Sequence, residues 1–394
     1  MSRDTEERLT AQSMAGPRGG MSRRLFTRAG LGAAASILAA PVHQAIAQAS
    51  RGTAMRSPTS DLRADEHLVL MTTAASPTLD GTIWIVPIHA WICRLPESRV
   101  RLRLMERVLT SITGRALDDV TRPNFRRRAG LLIADNKRHR RIVVRLAGST
   151  FSLPPTAANG HARMEVIVGA AAAHAAASSG RLPIVAVLRE GDARAIGAEA
   201  LLVGDEGISV ISDIDDTVKV THVTDRKRML AATFLDDFAA VPGMADRYRG
   251  WVGAGAALHF VSSSPWHLYE PLAEHLAASG FPPSTMTMKH VRLKDRTFAD
   301  LFRPGSATKP PALRALMDQY PRRRFVLVGD SGEEDPEVYA DLASRFPLRI
   351  AAIHIRNVTD ATLDDTRFRP LVRQPNAPPW QLFREAHELP QTLA

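Results

Sequence analysis

The sequence has only one cysteine, Cys93, in 394 residues. An internal disulfide framework is therefore excluded, and so is a zinc site built from several cysteines. The cysteine count does not determine the cellular compartment, since a protein can be exported without forming disulfides. Hydrophobic residues make up 45% of the chain, so a chain of this length can bury the cores of two domains.

Aromatic residues are also few, at 6% of the sequence, and they are almost absent from its most basic part. Residues 94–145 contain fifteen Lys and Arg against five Asp and Glu, and only Phe125 adjoins the densest runs, Arg126–Arg128 and Lys137–Arg141. Binding of single-stranded nucleic acid usually needs aromatic stacking platforms, so nucleic acid is not expected as a partner. Two interpretations remain: a solvated basic face, or a peripheral contact with anionic lipid or another polyanion.

The N-terminal residues contain no hydrophobic run long enough to predict a membrane span, because Ala29–Ala40 is short and only weakly apolar. This run follows Arg23-Arg24 and precedes Ala45-Ile46-Ala47, a small-residue cleavage site. With Ser22 before the arginine pair and Phe26 after it, the order resembles a twin-arginine export signal. The resemblance implies a signal peptide over residues 1–47 and a periplasmic or extracellular protein. An uncleaved anchor and a chance basic tail are alternatives, as is a true start at Met21.

The rest of the chain divides by its pattern. Residues 48–65 lack periodicity and predict a linker. Residues 66–204 contain short β-branched and alternating runs, which predict a small β-rich, sandwich-like domain, with one helix at Arg99–Ile112. In residues 205–360 strands alternate with helices, which predicts an α/β domain with a parallel sheet. Residues 361–394 are left as a C-terminal extension.

Polar side chains stand where the predicted strands of the α/β domain end. Asp213, Asp215 and Thr217 follow the first strand, Ser262 ends the second, and Asp330 follows the fourth. Ligands of such sheets bind outside the carboxyl ends of the strands, so these side chains are expected to lie together. Three carboxylates within residues 213–217 repel one another, and an all-oxygen site suits a hard dication. The alternative is an Asx-rich turn in which Asp216 or Thr217 caps the next helix.

Four motifs in this order resemble those of the haloacid dehalogenase superfamily of aspartyl-phosphate phosphatases. They are Asp-x-Asp-x-Thr at Asp213–Thr217, the strand-terminal Ser262, Lys309 before a helix, and Gly-Asp-x-x-x-x-Asp at Gly329–Asp335. The resemblance implies a Rossmann-like domain that uses Mg²⁺. A short insertion between the first two motifs, Thr221–Ala240, implies at most a flap and so a minimal cap. Lys289–Thr308 is either a second rim of the site or an ordinary surface loop.

The resemblance also implies a role for each motif residue. Asp213 is the nucleophile, and Asp215 is the general acid and base, a role that requires a raised pKa. Ser262 and Lys309 would donate to the phosphoryl oxygens. Asp213, Asp330 and a backbone carbonyl near Asp215 would bind the metal. Thr217 and Asp335 would support these groups, and Glu334 is the alternative to Asp335.

A narrower resemblance covers most of residues 205–360. The segments Val241–Met244, Val261–Trp266 and Gly329–Tyr339, together with Asp213–Lys219, are similar to the actin-patch-associated phosphatidate phosphatase family, which is related to the lipins. That family implies Mg²⁺-dependent conversion of phosphatidate to diacylglycerol, and a site with little cover favours a lipid substrate. The alternatives are a phosphomonoesterase for a phosphoprotein or a soluble phosphate ester, and a lipid- or polyanion-binding protein with a vestigial site.

Overall fold

A computed structural model of the protein describes residues 58–96, 99–290 and 309–393. The predicted signal peptide and most of the predicted linker and rim segment lie outside these residues. Within the described part of the chain, no helix combines the length and the apolar character that a membrane crossing requires. The last residues of the predicted linker are packed, since the Ser60 hydroxyl accepts a hydrogen bond from the Val143 amide at 2.9 Å and Leu62 is buried.

The N-terminal part of the described chain is a mixed nine-stranded sheet, which confirms the β-rich prediction. Its strands are β1 (His67–Met71), β2 (Thr73–Pro77), β3 (Ile83–Arg94), β4 (Asp135–Asn136), β5 (Val143–Leu146), β6 (Ser149–Ser152), β7 (His161–Gly169), β8 (Arg181–Ala186) and β9 (Gly197–Leu202). Strand β2 pairs with β3 through its end and with β9 through its start, so it joins the two halves of the sheet. Val86 of β3 and Ile184 of β8 lie in one core, because inward-facing residues of both halves meet there.

Three helices belong to this part: α1 (Arg99–Thr113), α2 (Thr121–Leu132) and α3 (Ala170–Ala176). Helix α1 was expected from its apolar spacing. Helix α2 was not expected, because its run of arginines hides the spacing of Phe125, Ala129 and Leu132, which are among its buried apolar residues.

The C-terminal part is a six-stranded sheet in the order β12-β11-β10-β13-β14-β15, and every neighbouring pair is parallel. The strands are β10 (Ile208–Ser212), β11 (Ala257–Pro265), β12 (Thr285–Lys289), β13 (Arg324–Asp330), β14 (Ile350–Arg356) and β15 (Trp380–Phe383). The helices are α4 (Arg226–Phe234), α5 (Met244–Gly253), α6 (Tyr269–Ala278), α7 (Lys309–Gln319), α8 (Asp335–Arg345) and α9 (Arg369–Val372).

The prediction of a parallel α/β sheet is thereby confirmed, and β10 and β13 are nearly continuous buried runs, as parallel strands covered on both faces should be. The sequence pattern predicts Ile350–His354, which lies within β14, as the last strand of the sheet, and this prediction was wrong. Strand β15 adds an edge to the sheet, and its partly exposed side chains give no apolar run from which to predict it.

The two parts share apolar cores, and the described residues form one compact unit. Trp91 of β3 lies in the same buried cluster as Val210 of β10 and Trp266, which follows β11. Helix α4 packs on α1 and α2, with Phe234 buried among residues of both helices. The segment Thr221–Ala240, for which the sequence predicted at most a flap, therefore contains a helix that is held by the N-terminal part.

Candidate active site

The strand β10 places Asp213 at the carboxyl end of the sheet, between β11 and β13. Its amide donates to the Val328 carbonyl at 2.8 Å, which fixes the backbone where the strand ends. The side chain is buried, with Oδ1 2.8 Å from Lys309 Nζ, and Oδ2 accepts no hydrogen bond from the described residues. Burial raises the pKa of Asp213 well above its usual range, and Lys309 offsets this only in part.

The loop after β10 is built around the Asp216 side chain. Asp216 has a left-handed backbone with φ 51°, and its carboxylate accepts from the amides of Thr221, His222 and Val223. The next helix, α4, is capped instead by Asp225, whose side chain accepts from two amides of its first turn. The alternative in which Asp216 or Thr217 caps that helix was therefore wrong.

Asp215 is held on both of its carboxylate oxygens. Oδ1 lies 2.9 Å from Lys219 Nζ and accepts from the Thr221 hydroxyl at 2.8 Å, while Oδ2 accepts from the Ser264 hydroxyl at 2.9 Å. Burial raises the pKa of Asp215, but Lys219 and these hydrogen bonds outweigh it, so the pKa lies below its usual value. The prediction of a raised pKa for Asp215 was therefore wrong.

Lys309 is the buried cation of the site. Besides Asp213, its Nζ contacts Asp335 Oδ1 at 2.5 Å and Glu333 Oε2 at 3.1 Å. Burial lowers the pKa of Lys309, but the three acids outweigh it and hold the pKa well above its usual value. The predicted contact between Asp335 and Lys309 is present, whereas Glu334 is exposed at the start of α8 and is not brought to the site.

Asp330 ends β13 and faces Asp213. Its Oδ1 accepts from the amides of Gly332 and Glu333, at 2.6 and 3.0 Å, and its buried Oδ2 has no hydrogen-bond partner among the described residues. Burial raises the pKa of Asp330 well above its usual range, and the nearby Asp335 and Glu333 raise it further.

Asp213, Asp330 and Glu333 form a candidate metal centre, since one carboxylate oxygen from each lies within 4.8 Å of the others. These residues fit Mg²⁺, because the donors are hard oxygens and two buried carboxylate oxygens lack a donor. Glu333 was missed in the sequence, where three consecutive acids, residues 333–335, look alike. The side chain of Asp215 is engaged elsewhere, so the predicted ligand at this position stays the backbone carbonyl near Asp215.

The two remaining predicted residues line the same loop cluster. The Ser262 hydroxyl is buried, accepts from the Ser264 amide at 3.0 Å and lies 3.5 Å from Asp215 Oδ2. The Thr217 hydroxyl is buried without a hydrogen-bond partner in the described part of the chain. The structure thus gathers several carboxylates, a buried ammonium and hydroxyl groups at one edge of the sheet.

Comparison with known proteins identifies what this arrangement is similar to. Residues 208–357 match the family described as the catalytic domain of phosphatidate phosphatase APP1. The narrower resemblance inferred from the sequence, to the phosphatidate phosphatase family, is confirmed. Residues 208–357 therefore resemble a phosphoric monoester hydrolase.

Two relatives illustrate the extent of the similarity. The phosphatidate phosphatase APP1 of Saccharomyces cerevisiae is 33% identical over 162 residues, and an uncharacterised protein of Schizosaccharomyces pombe is 34% identical over 169 residues. The alignments cover 40% and 42% of this chain, respectively, and 27% of each relative. The chain thus spans about a quarter of the length of these relatives.

Proposed function

We propose that the protein is a Mg²⁺-dependent phosphatidate phosphatase that releases diacylglycerol and phosphate through an aspartyl-phosphate on Asp213. The observation that carries the proposal is the APP1-type match of residues 208–357, which spans every acidic residue of the site. We also assign the domain to the haloacid dehalogenase type with a minimal cap of its own. The parallel order around β10, with Asp213 at its carboxyl end, supports this assignment.

In this proposal, Asp213 Oδ2 attacks phosphorus while the ester P–O bond breaks, and Asp215 gives its proton to the leaving alcohol oxygen. A phosphate group arriving beside Asp215 raises the pKa of that carboxyl by like-charge repulsion, which favours the protonated form that this step needs. Asp215 then takes a proton from the water that hydrolyses the aspartyl-phosphate. Lys309 and the Ser262 hydroxyl donate to the phosphoryl oxygens and offset their charge.

Asp213, Asp330 and Glu333 would hold Mg²⁺, with the backbone carbonyl of Asp215 as the resemblance implies. The ion would neutralise phosphoryl charge and so reduce the repulsion between the phosphate and the attacking carboxylate.

The test is a phosphate-release assay on phosphatidate in mixed micelles, beside a phosphopeptide and soluble phosphate esters, with and without Mg²⁺. We expect Mg²⁺-dependent release that is fastest from phosphatidate. Preference for a soluble ester or a phosphopeptide would favour a different phosphomonoesterase. Binding of phosphatidate without any release would favour a binding protein with a vestigial site.

We further propose that the basic stretch 94–145 meets anionic phospholipid surfaces, and that α1 provides the contact. Val100 and Leu104, one turn apart, are 73% and 61% exposed. Arg101, Arg103 and Arg107 beside them are exposed and have no ion pair among the described residues. Apolar side chains flanked by unpaired arginines suit the interface of an anionic bilayer.

The denser arginine run on α2 suits this role less well than the sequence suggested. Arg127 is paired with Glu274. Arg128 is buried and donates to the carbonyls of Thr233 and Asp236. Reversing the charge of the whole run would therefore damage the fold before it tested any contact with a membrane.

We also propose export through the twin-arginine route, on the evidence of the sequence around Arg23-Arg24. Replacing this pair with two lysines should leave the precursor in the cytoplasm. Fractionation of cells that express both forms is the measurement, and unchanged recovery outside the cytoplasm would argue against this route.

A further inference from the structure

A lysine to which the sequence analysis gave no role contacts the proposed general acid. Lys219 is buried, and its Nζ lies 2.9 Å from Asp215 Oδ1 and 2.5 Å from the Thr221 hydroxyl oxygen. Its backbone is fixed too, since its amide donates to Ile214 and its carbonyl accepts from Asp216. The ammonium therefore has little freedom to leave the Asp215 carboxylate.

The same ammonium is supported from the N-terminal part of the protein. Lys219 Nζ lies 5.0 Å from the centre of the Phe238 ring, and the guanidinium carbon of Arg128 lies 3.6 Å from that centre. Both distances allow attraction between a cation and the ring face. Arg128 stands on α2, so the contacts run from that helix through Phe238 and Lys219 to Asp215.

These contacts divide the two oxygens of Asp215 between two tasks. Oδ1 is occupied by Lys219 and Thr221, which prevents rotation of the carboxylate. Oδ2 is thereby directed to the loop of Ser262 and Ser264, where the phosphate is proposed to bind. Loss of the Lys219 ammonium would leave the Thr221 hydroxyl as the one remaining described partner of Oδ1, and the carboxylate could then turn more easily.

We propose that Lys219, supported by Phe238 and Arg128, is a positioning residue that presents Oδ2 of Asp215 to the leaving oxygen of the substrate. The inference rests on the proposed function. It makes the basic helix α2 part of the support for catalysis, in addition to any contact with lipid.

The test compares kcat/KM for two substrates in the same detergent micelles. Phosphatidate leaves an alcohol and needs a proton donor, whereas an alkyl-substituted 4-nitrophenyl phosphate leaves a phenolate that is stable without a proton. For each substrate, kcat/KM reports the steps from binding up to the departure of the leaving group. We expect Lys219→Met to lower kcat/KM on phosphatidate about 100-fold, within the range of general acid catalysis, and to lower it much less on the aryl ester. Lys219→Arg should recover part of the loss.

Lys227→Met is the matched control, because Lys227 is an exposed lysine on the neighbouring helix α4 and should leave both rates unchanged. Equal losses on the two substrates, or no loss on phosphatidate, would overturn the positioning role and leave the proposed function standing. A wild type that hydrolyses neither ester would overturn the proposed function itself.

A second variant covers the case in which Lys219→Met does not fold. Phe238→Leu keeps the ion pair between Lys219 and Asp215 but removes the ring that supports it. A smaller loss confined to phosphatidate is expected, and a uniform loss on both esters would overturn the proposal.

Discussion

The ammonium of Lys309 lies 2.8 Å from Oδ1 of Asp213, and neither side chain is more than 5% exposed. Lys309 also contacts Glu333 and Asp335, while Asp330 lies in the metal cluster with Asp213 and Glu333. One ammonium therefore faces four acidic side chains among the described residues of this cluster. This excess of negative charge favours binding of a dication, because burying carboxylates without a counter-charge costs free energy.

The nucleophile assignment predicts the effect of Asp213→Asn. The variant should lose essentially all phosphatase activity, because Asn cannot form the acyl phosphate, whereas its thermal stability should not fall, since one repelling charge is removed. Phosphate release and a thermal melt measure the two effects. Asp318→Asn, on the exposed face of α7, is the control. Activity above a few per cent of the wild type would remove Asp213 from the nucleophile role.

The metal assignment is tested by two neighbouring glutamates. Glu333→Gln should raise the Mg²⁺ concentration needed for half-maximal activity about 10-fold or more, because a carboxylate ligand is lost. It should also reduce the stabilisation that Mg²⁺ gives in a thermal melt. Glu334→Gln makes the same chemical change at an exposed position and should alter neither quantity. Equal effects of the two variants would contradict a metal centre that contains Glu333.

The exposed face of α1 predicts binding to anionic vesicles. Replacing Arg101, Arg103 and Arg107 together with Glu should abolish co-sedimentation with such vesicles and raise the apparent KM for vesicle-borne phosphatidate. Each arginine contributes about 1 kcal/mol near the surface, and salt beyond roughly 0.15 M should weaken binding of the wild type. Hydrolysis of a soluble ester should not change.

The control for that variant carries the same charge change at Arg314, Arg369 and Arg384, which are exposed on the α/β part. A similar loss of binding in the control would show that net charge alone matters. Absence of wild-type binding at low salt would end the docking proposal.

The contact between His67 Nε2 and Glu270 Oε2, at 2.6 Å, joins β1 to α6 and predicts a pH-dependent stability. The hydrogen bond to Glu270 raises the pKa of His67. The contribution of this ion pair to the free energy of unfolding is therefore complete below the ordinary histidine pKa of about 6.5. It is lost as the pH rises through the higher pKa that His67 has in the folded state. His67→Gln should lower the urea midpoint near pH 5.5 and leave it unchanged well above the folded-state pKa. The effect should be small, since the His67 side chain is 42% exposed, and an equal effect at both pH values would contradict it.

Much of the site could be predicted because it depends on where strands end. The apolar runs of β10, β11 and β13 stop at Asp213, Ser262 and Asp330, and parallel strands bring their ends to one edge. The choice between Glu333 and Glu334 could not be predicted. Both follow Asp330 closely in the sequence, and the backbone between β13 and α8, which no local pattern predicts, brings Glu333 to the metal cluster.

The role of Lys219 and the burial of Arg128 were hidden for a different reason. Each is a charged residue that the fold buries. Lys219 lies against Asp215 and Phe238. The partners of Arg128 lie far away in the chain. Arg128 meets Phe238 and carbonyls next to α4, and these contacts depend on the packing of α2 and α4, which no local pattern contains.

The shared apolar cores have a consequence for whether the C-terminal part of the protein can be prepared alone. The surface of α4 and the side of Trp266 that Trp91 and its neighbours cover would be bare in a fragment that begins at residue 205. Such a fragment is expected to aggregate, and the intact protein to melt in one calorimetric transition. The segment that holds the candidate active site thus depends on the sheet before it for its solubility.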